Sequence, residues 1–222
     1  MADGATHVFS ADALLFDNDG VLVDSKAAGE EAWREWAQEY GVEPGPVIAG
    51  SHGRRSVETV ARHVPAERVE EATARIDALE LAGADATRAL PGAVELVASI
   101  PDAARAVVTS APRALGLARL EAAGIPVLSV VVTSEDVAAG KPAPDPYLEA
   151  ASRLGVDIGR CVVFEDSANG IAAALAAGAG VVVGVGASAL GRGCDVVVLD
   201  LGAVRWTGAG VEVARALTVG DR

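Results

Sequence analysis

Lysine is the scarcest charged residue in this sequence, in which Lys26 and Lys141 stand beside sixteen arginines. The formal net charge is -13, so the chain offers no broad basic face. A protein without such a face cannot neutralise a run of backbone phosphates, and we expect neither a nucleic-acid partner nor an anionic membrane partner. Any phosphate that the protein handles should be small and held locally.

Long apolar runs are also missing, and no stretch is long and apolar enough to span a bilayer. The N-terminus carries acidic Asp3 and no basic region, so it does not resemble a signal peptide and we expect a cytoplasmic location. The two cysteines, Cys161 and Cys194, lie in or beside apolar runs, which is typical of small core residues. Apolar residues make up 51% of the 222, which predicts a folded chain with a substantial core.

The most informative stretch is residues 13–25, an apolar run that ends in Asp17, Asn18, Asp19 and Gly20. A short run without polar residues predicts a strand buried on both faces. Two carboxylates at the end of such a strand repel each other and lose hydration. A divalent cation, a shared proton or a basic group must therefore offset them. The alternative is that Asp17 and Asp19 are ordinary turn residues.

The chain divides into two parts with different patterns. Residues 26–90 contain no strand-like run and predict only helices, near 26–40, 54–63 and 65–86. Ser25 can cap the first helix, and Gly41 and Pro44 can end it. From Pro91 helices alternate with apolar strands, which predicts right-handed crossovers and a mainly parallel sheet. We therefore expect an α/β protein with a Rossmann-like, doubly wound core (1–25 and 91–222) and a small all-helical insert (26–90).

Within this core the pattern predicts helices at 93–99, 113–123, 145–154 and 168–177. Predicted strands follow the first one at 104–109, 127–132, 161–164, 181–185 and 196–199. The segment from Val204 onward has no clear pattern, and we expect it to form a weakly defined tail that adds at most one strand.

Polar groups follow several of these strands, and the carboxyl ends of parallel strands share one crevice. Thr109 and Ser110 stand at a strand-to-helix turn that could bind phosphate, although a plain N-cap explains a hydroxyl equally well. Lys141 is held between glycine and proline in a rigid loop, where the alternative is a solvated surface lysine. Glu165 and Asp166 end a buried strand, where Asp166 could also cap the next helix.

The oxygens of the acidic residues at the ends of the two strands suit octahedral Mg²⁺. The predicted ligands are the Asp17 carboxylate, the backbone carbonyl of Asp19 and the Asp166 carboxylate, with waters. Glu165 could bind the ion directly or through water. A compact ammonium that approaches carboxylate and phosphate as a point charge is one reason for keeping a lysine at position 141.

Four segments resemble, in order and spacing, the signature motifs of the haloacid dehalogenase superfamily: residues 17–21, 109–110, 141–142 and 165–166. The resemblance extends over essentially the whole chain, and the helical insert is similar to the superfamily's small cap domain. It implies phosphoryl transfer in which Asp17 attacks phosphorus and Asp19 protonates the leaving alcohol, then deprotonates water. Mg²⁺ and Lys141 would neutralise the phosphoryl oxygens, and Thr109 would hold them.

The resemblance also separates branches of the superfamily. Dehalogenating and phosphonate-cleaving members lack an acid at the position of Asp19, so neither chemistry is expected, and Lys26 resembles a solvated cap residue. The β-phosphoglucomutase branch carries a histidine twelve residues after its nucleophile, where this chain has Gly29. Without that histidine, we expect transfer of the phosphoryl group to water to be faster than its return to a sugar.

Four further segments, at 32–41, 51–53, 90–93 and 108–110, resemble the corresponding segments of sugar phosphatases and glycerol-phosphate phosphatases. They imply a Mg²⁺-dependent phosphomonoesterase that acts on small phosphorylated sugars or polyols, as a monomer or weak dimer. His52, Arg54 and Arg55 are the cap residues expected to face the substrate, although each arginine could instead cap or solvate a helix start. A sugar phosphomutase and a non-enzymatic, phospho-accepting signalling module remain the alternatives.

Overall fold

The computed structural model describes residues 6–126, 128–214 and 216–219. Its strands, in chain order, are β1 (His7–Ser10), β2 (Ala13–Phe16), β3 (Val23–Asp24), β4 (Arg88–Ala89), β5 (Arg105–Val108), β6 (Val131–Val132), β7 (Cys161–Glu165), β8 (Val181–Val185), β9 (Val196–Val198), β10 (Val204–Trp206), β11 (Gly210–Val213) and β12 (Thr218–Val219). Its α-helices are α1 (Lys26–Tyr40), α2 (Pro44–Ser51), α3 (Ser56–Val60), α4 (Val69–Ala82), α5 (Ala93–Ser99), α6 (Arg113–Ala122), α7 (Asp145–Leu154) and α8 (Ala168–Ala177).

Seven strands form the main sheet in the order β12-β9-β8-β7-β2-β5-β6. Every neighbouring pair is parallel except β12 with β9. The chain runs outward from β2 to β5 and β6, then returns to β7 on the other side of β2 and continues to β8 and β9. This doubly wound order confirms the predicted α/β class, and it gathers the carboxyl ends of β2, β5 and β7 at one edge.

Both faces of the central strand β2 are buried. Leu14 and Phe16 pack into one apolar cluster with α5, whereas Ala13 and Leu15 pack into another with α7 and α8. The Phe16 ring also stacks on the ring of Phe164 in β7, with centroids 4.9 Å apart. Burial on both faces fixes the position of β2 in the sheet, so the residues after Phe16 emerge at its carboxyl edge.

The helical insert has an apolar core of its own. Trp36 of α1 is fully buried, stacks on Tyr40 with ring centroids 4.7 Å apart and donates its indole N–H to the Ala72 carbonyl at 2.8 Å. The two-stranded ribbon of β3 and β4 lies where the chain enters and leaves this region. The expectation of no strand within 26–90 is therefore wrong at its last residues.

Several predicted bounds needed correction. The sequence predicted no helix at 44–51, because Pro44 was interpreted as a stop, yet proline is compatible with the first turn of a helix and α2 begins there. The helix predicted at 54–63 is only α3, and the one at 65–86 is α4 between two short 3₁₀ turns.

The last part of the chain is more regular than predicted. β10 and β11 form a three-stranded antiparallel sheet with β1, and β12 extends the main sheet, so the tail contributes more than the one expected strand. Of the strand predicted at 127–132, only β6 is present, and Val127 lies outside the described residues. Cys161 and Cys194 are buried, as expected of small core residues. Within the described ranges, no helix combines the length and apolar composition needed to cross a membrane.

Candidate active site

Asp17 is the first residue after β2 and is almost completely buried. Its carboxylate Oδ1 accepts a hydrogen bond from the Lys141 ammonium at 2.8 Å. The same ammonium donates to Glu165 Oε1 at 2.5 Å and to the Val108 carbonyl at 3.0 Å, so its three donors meet three acceptors. Burial alone would lower the pKa of Lys141, but Asp17 and Glu165 raise that pKa above its ordinary value and keep the side chain charged.

Glu165, the last residue of β7, organises the groups around Lys141. Its Oε1 also accepts the Tyr147 hydroxyl at 2.8 Å, while its Oε2 accepts the backbone N–H groups of Asp166 and Ser167 and the Ser167 hydroxyl. With two donors on one oxygen and three on the other, this carboxylate has little capacity left for a metal ion. The structure thus favours an indirect role for Glu165 over the direct ligation that the sequence left open.

A cation would fit beside Asp17. Carboxylate oxygens of Asp17, Glu165 and Asp166 all lie within 4.8 Å of one another, and Lys141 is the one ammonium among them. Burial, followed by the repulsion of Glu165, raises the pKa of Asp17 well above its ordinary value and that of Asp166 to about 7. Buried carboxylates with such an excess of negative charge fit a divalent ion that binds oxygen, such as Mg²⁺.

Asp19 is held by hydroxyl and guanidinium groups. Its Oδ1 accepts the Ser25 hydroxyl at 2.5 Å and Arg119 Nη1 at 2.9 Å, while its Oδ2 is 3.5 Å from the Thr109 hydroxyl. Ser25 precedes α1 but makes no side-chain cap, because its hydroxyl is used on Asp19. Thr109, expected to hold phosphate, lies against Asp19 and accepts the N–H of Ala111 at 3.1 Å.

The loop between α2 and α3 is packed against the ends of the main strands. Ser110, the other hydroxyl expected to bind phosphate, donates to the Gly53 carbonyl at 3.2 Å, and Asn169 donates to the His52 carbonyl at 3.1 Å. Arg54 is 3.4 Å from the Asn169 side chain. These contacts join the helical insert to the part of the molecule that carries Asp17.

Arg55 does not join the other candidate residues at the cavity. Its guanidinium pairs with Glu58 of α3 and donates to the Ala138 carbonyl at 3.1 Å. A Cβ on Gly140 would collide with it, so Arg55 packs on the loop that carries Lys141. The structure thus gives Arg55 a contact between the insert and that loop in place of the expected contact with substrate.

A cavity of about 110 Å³ separates the helical insert from the ends of the main strands. Acidic, basic and hydroxyl side chains line it from both sides, together with one tryptophan. The lining includes Asp17, Asp19, Ser110 and Arg119 on one side and Glu30, Trp33, His52, Arg54 and Glu80 on the other. The two aspartates after β2 therefore face a polar cavity that is lined from both sides.

Arg119, Glu80 and Tyr147 are site residues that the sequence analysis missed. A signal was present, since each stands on the buried face of an otherwise amphipathic helix. Arg119 follows Leu115 by four residues, and Glu80 follows Ile76 by four, at positions where an apolar side chain would be expected. A charged residue on a buried helical face needs a partner, and here Arg119 and Glu80 pair at 3.0 Å.

The sequence matches the haloacid dehalogenase-like hydrolase family over residues 11–178. The chain belongs to this family. The membership confirms the predicted superfamily and the expectation of an enzyme, and it argues against a non-enzymatic signalling module.

Several relatives of this hydrolase are named as phosphatases or phosphohydrolases. It is 41% identical to hexitol phosphatase A of Escherichia coli (strain K12) over 175 residues, which covers 76% of this chain and 81% of that protein. It is 31% identical to glycerol-1-phosphate phosphohydrolase 2 of Saccharomyces cerevisiae (strain ATCC 204508 / S288c) over 217 residues, which covers 90% of this chain and 86% of that protein.

The fold is also similar to that of β-phosphoglucomutase from Clostridium difficile. The TM-score is 0.77 at 22% sequence identity, with 86% of this chain and 92% of that chain covered. This likeness supports the fold assignment but does not distinguish a phosphatase from a mutase.

Proposed function

We propose that this hydrolase is a Mg²⁺-dependent phosphatase that cleaves phosphate monoesters of small sugars or polyols through a phosphorylated Asp17. The observation that carries the proposal is the buried Asp17, which lies on the cavity, is paired to Lys141 at 2.8 Å and stands within a cluster of carboxylates. The functional names of the relatives, a hexitol phosphatase and a glycerol-1-phosphate phosphohydrolase, point to the same substrate class.

The proposed division of the chain is a catalytic core of residues 1–25 and 91–222 and a cap of residues 26–90. In support, the helices of the insert bury their own aromatic cluster, and the ribbon of β3 and β4 joins the points where the chain enters and leaves. A cap that contacts the core through the loop of residues 52–55 could open to admit substrate and close to exclude water.

Each residue at the end of a main strand has a proposed role. Asp17 and Asp166, with the Asp19 carbonyl, would hold Mg²⁺, which when bound neutralises charge on the phosphoryl oxygens. Lys141 would keep Asp17 ionised, and it would pair with the same oxygens once substrate displaces one of its present contacts. Ser110 and Thr109 would offer hydroxyl groups to the phosphate once substrate displaces their present contacts.

The proposed reaction has two steps that both use Asp17 and Asp19. In the first, an Asp17 oxygen attacks phosphorus, the bond from phosphorus to the ester oxygen breaks, and Asp19 gives its proton to the departing alcohol. In the second, Asp19 takes a proton from water, which attacks the phosphorus, and the bond to Asp17 breaks to release inorganic phosphate.

The cavity favours a small alcohol that carries hydroxyl groups as the leaving group. Its volume of about 110 Å³ is well below the roughly 300–1,000 Å³ of sites for drug-sized ligands. Glu30 and Glu80 lie on its cap side, where their carboxylates can accept hydrogen bonds from hydroxyl groups. Sugar and polyol phosphates are small and offer such hydroxyl groups, whereas nucleotides are larger.

The proposal is tested by phosphate release from a panel of hexitol, glycerol, sugar, nucleotide and amino-acid phosphates. We expect hexitol or glycerol phosphates to be preferred, EDTA to abolish turnover, and added Mg²⁺ to restore it. Asp17→Asn should reduce phosphate release to background, because an amide cannot act as the nucleophile. Retained turnover by a folded Asp17→Asn protein would remove the proposed nucleophile.

Phosphomutase activity is the second candidate, because the fold is similar to that of a β-phosphoglucomutase. Gly29, at the position where that branch has a histidine, offers no side chain to favour return of the phosphoryl group. Incubation with a hexose 1-phosphate separates the two activities. Formation of the 6-phosphate faster than inorganic phosphate would favour the mutase.

A further inference from the structure

Arg119 is buried where the cap meets the core. Its side chain is 6% exposed and lies on the same face of α6 as Leu115 and Leu120. Nη1 donates to Asp19 Oδ1 at 2.9 Å, and Nη2 donates to Glu80 Oε1 of α4 at 3.0 Å. One guanidinium group thus binds a carboxylate after β2 and another on a cap helix, through two different nitrogens.

This arrangement fixes the orientation of the Asp19 carboxylate. Oδ1 accepts hydrogen bonds from both Arg119 and the Ser25 hydroxyl, whereas the one donor to Oδ2 among the described residues is the Thr109 hydroxyl at 3.5 Å, at the limit of a hydrogen bond. Oδ2 is therefore the oxygen left for proton exchange with the leaving alcohol and with water. Charge-assisted bonds to Oδ1 are strong enough to keep the carboxylate from rotating.

Glu80 in turn fixes the guanidinium group. Gly29 of α1 lies beside the pair: a Cβ there would be at ordinary van der Waals distance, 3.7 Å from Glu80 Oε1 and 4.0 Å from Arg119 Nη2. Without Arg119, Asp19 and Glu80 would be two partly buried carboxylates that face one space without the guanidinium group that now lies between them. Their repulsion would turn Asp19 away and push α4 from the core.

We propose that Arg119 is the positioning residue of Asp19, anchored by Glu80 so that Oδ2 points at the reacting oxygen while the cap is closed. The inference rests on the proposed function, because it assigns the orientation of the group that exchanges the proton. It predicts that steps needing this proton fail without Arg119, while attack by Asp17 on an ester with a good leaving group continues.

The test compares Arg119→Met, Arg119→Lys and wild type on a hexitol phosphate and on p-nitrophenyl phosphate, whose phenolate departs without a proton. For Arg119→Met we expect kcat on the hexitol phosphate to fall by about 100-fold or more, the range of a general acid or base, with KM nearly unchanged. The first-turnover burst of p-nitrophenol should persist near the wild-type rate, because only the later attack of water needs Asp19. Arg119→Lys should recover part of the kcat.

Two further variants guard against misfolding of Arg119→Met. Ser25→Ala removes the other donor to Oδ1, and Glu80→Gln weakens the anchor; each should lower kcat several-fold while the burst persists. Arg113→Met is the control, because Arg113 is on the same helix but pairs with Asp136. Its kcat on the hexitol phosphate and its burst of p-nitrophenol should equal those of wild type. A burst lost in proportion to kcat, or a rise in KM alone, would overturn the assignment. Absence of phosphate release by wild type would instead contradict the proposed function.

Discussion

At the scale of single residues, the site depends on matching a small number of charges. Lys141 is one of two lysines, and its ammonium is enclosed by Asp17, Glu165 and the Val108 carbonyl. A guanidinium group is planar and larger, so it cannot place three donors on these acceptors within the same space. A lysine at position 141 is therefore needed in a chain that otherwise uses arginine, because arginine could not make these three hydrogen bonds.

We expect Lys141→Arg to lower kcat by about 100-fold or more, because the bulkier group displaces Asp17 from the geometry needed for attack. The measurement is phosphate release under saturating substrate, with circular dichroism to confirm folding. Lys26→Arg is the matched control, since that lysine is 72% exposed and pairs with Glu30 at 4.0 Å; its kcat should stay within about threefold. Similar losses in the two variants would contradict a specific need for lysine at position 141.

At the scale of elements, the turn after β2 brings two acidic segments together. Gly20 has a φ of +85°, and a Cβ there would collide with the Asp166 carboxylate, so the turn passes directly over a proposed metal ligand. Residues 21–23 then donate three N–H groups to the Asn18 carbonyl, which closes the turn. Glycine is thus required for two reasons, its backbone conformation and the approach of Asp166.

Gly20→Ala should therefore abolish Mg²⁺-dependent activity, because the added methyl group displaces Asp166. Gly41→Ala is the control: its φ of +66° carries a similar conformational cost, but nothing lies within 4 Å of an added Cβ. We expect the control to lose about 1 kcal/mol in free energy of unfolding while it keeps its Mg²⁺ affinity. Equal Mg²⁺ affinities for the two variants, measured by calorimetric titration, would show that the approach of Asp166 is unimportant.

At the scale of the whole molecule, we expect the stability of the protein and its proposed binding of metal to be linked through pH. The pKa of the Asp166 carboxyl is near 3.8 in an unfolded chain. In the folded protein, burial and, to a smaller extent, repulsion by Glu165 raise this pKa to about 7. The folded state holds the proton more tightly between these values. Stability of the metal-free protein therefore falls as pH rises from about 4 to about 7.

Added Mg²⁺ should reverse this trend, because it binds the ionised carboxylates. We expect the increase in Tm between EDTA and saturating Mg²⁺ to be small at pH 5.5 and to grow through pH 7 towards pH 8. Asp166→Asn removes the titrating group, so its metal-free form should be more stable than wild type at pH 8 and respond little to Mg²⁺. A Mg²⁺-induced Tm increase that is equal at pH 5.5 and pH 8 would contradict the linkage.

The sequence by itself determined the fold class, most strands and helices of the core, and the segments that supply the site. Apolar runs such as the one before Asp17 and helical patterns such as 145–154 and 168–177 are local, and local periodicity carries that information. The same local rules failed at Pro44, where a residue that often ends a helix begins one. They also failed in the tail, whose strands β10 and β11 are defined by pairing with each other and with distant β1.

Only the tertiary structure decided how the site residues are paired. The sequence could not indicate that Arg119 contacts Asp19, 100 positions earlier, and Glu80, 39 positions earlier. Nor could it show that both carboxylate oxygens of Glu165 accept hydrogen bonds, one from Lys141 and Tyr147 and the other from the following turn. The physical reason is that periodicity shows which face of an element is buried, whereas the partner of a buried charge depends on how separate elements pack.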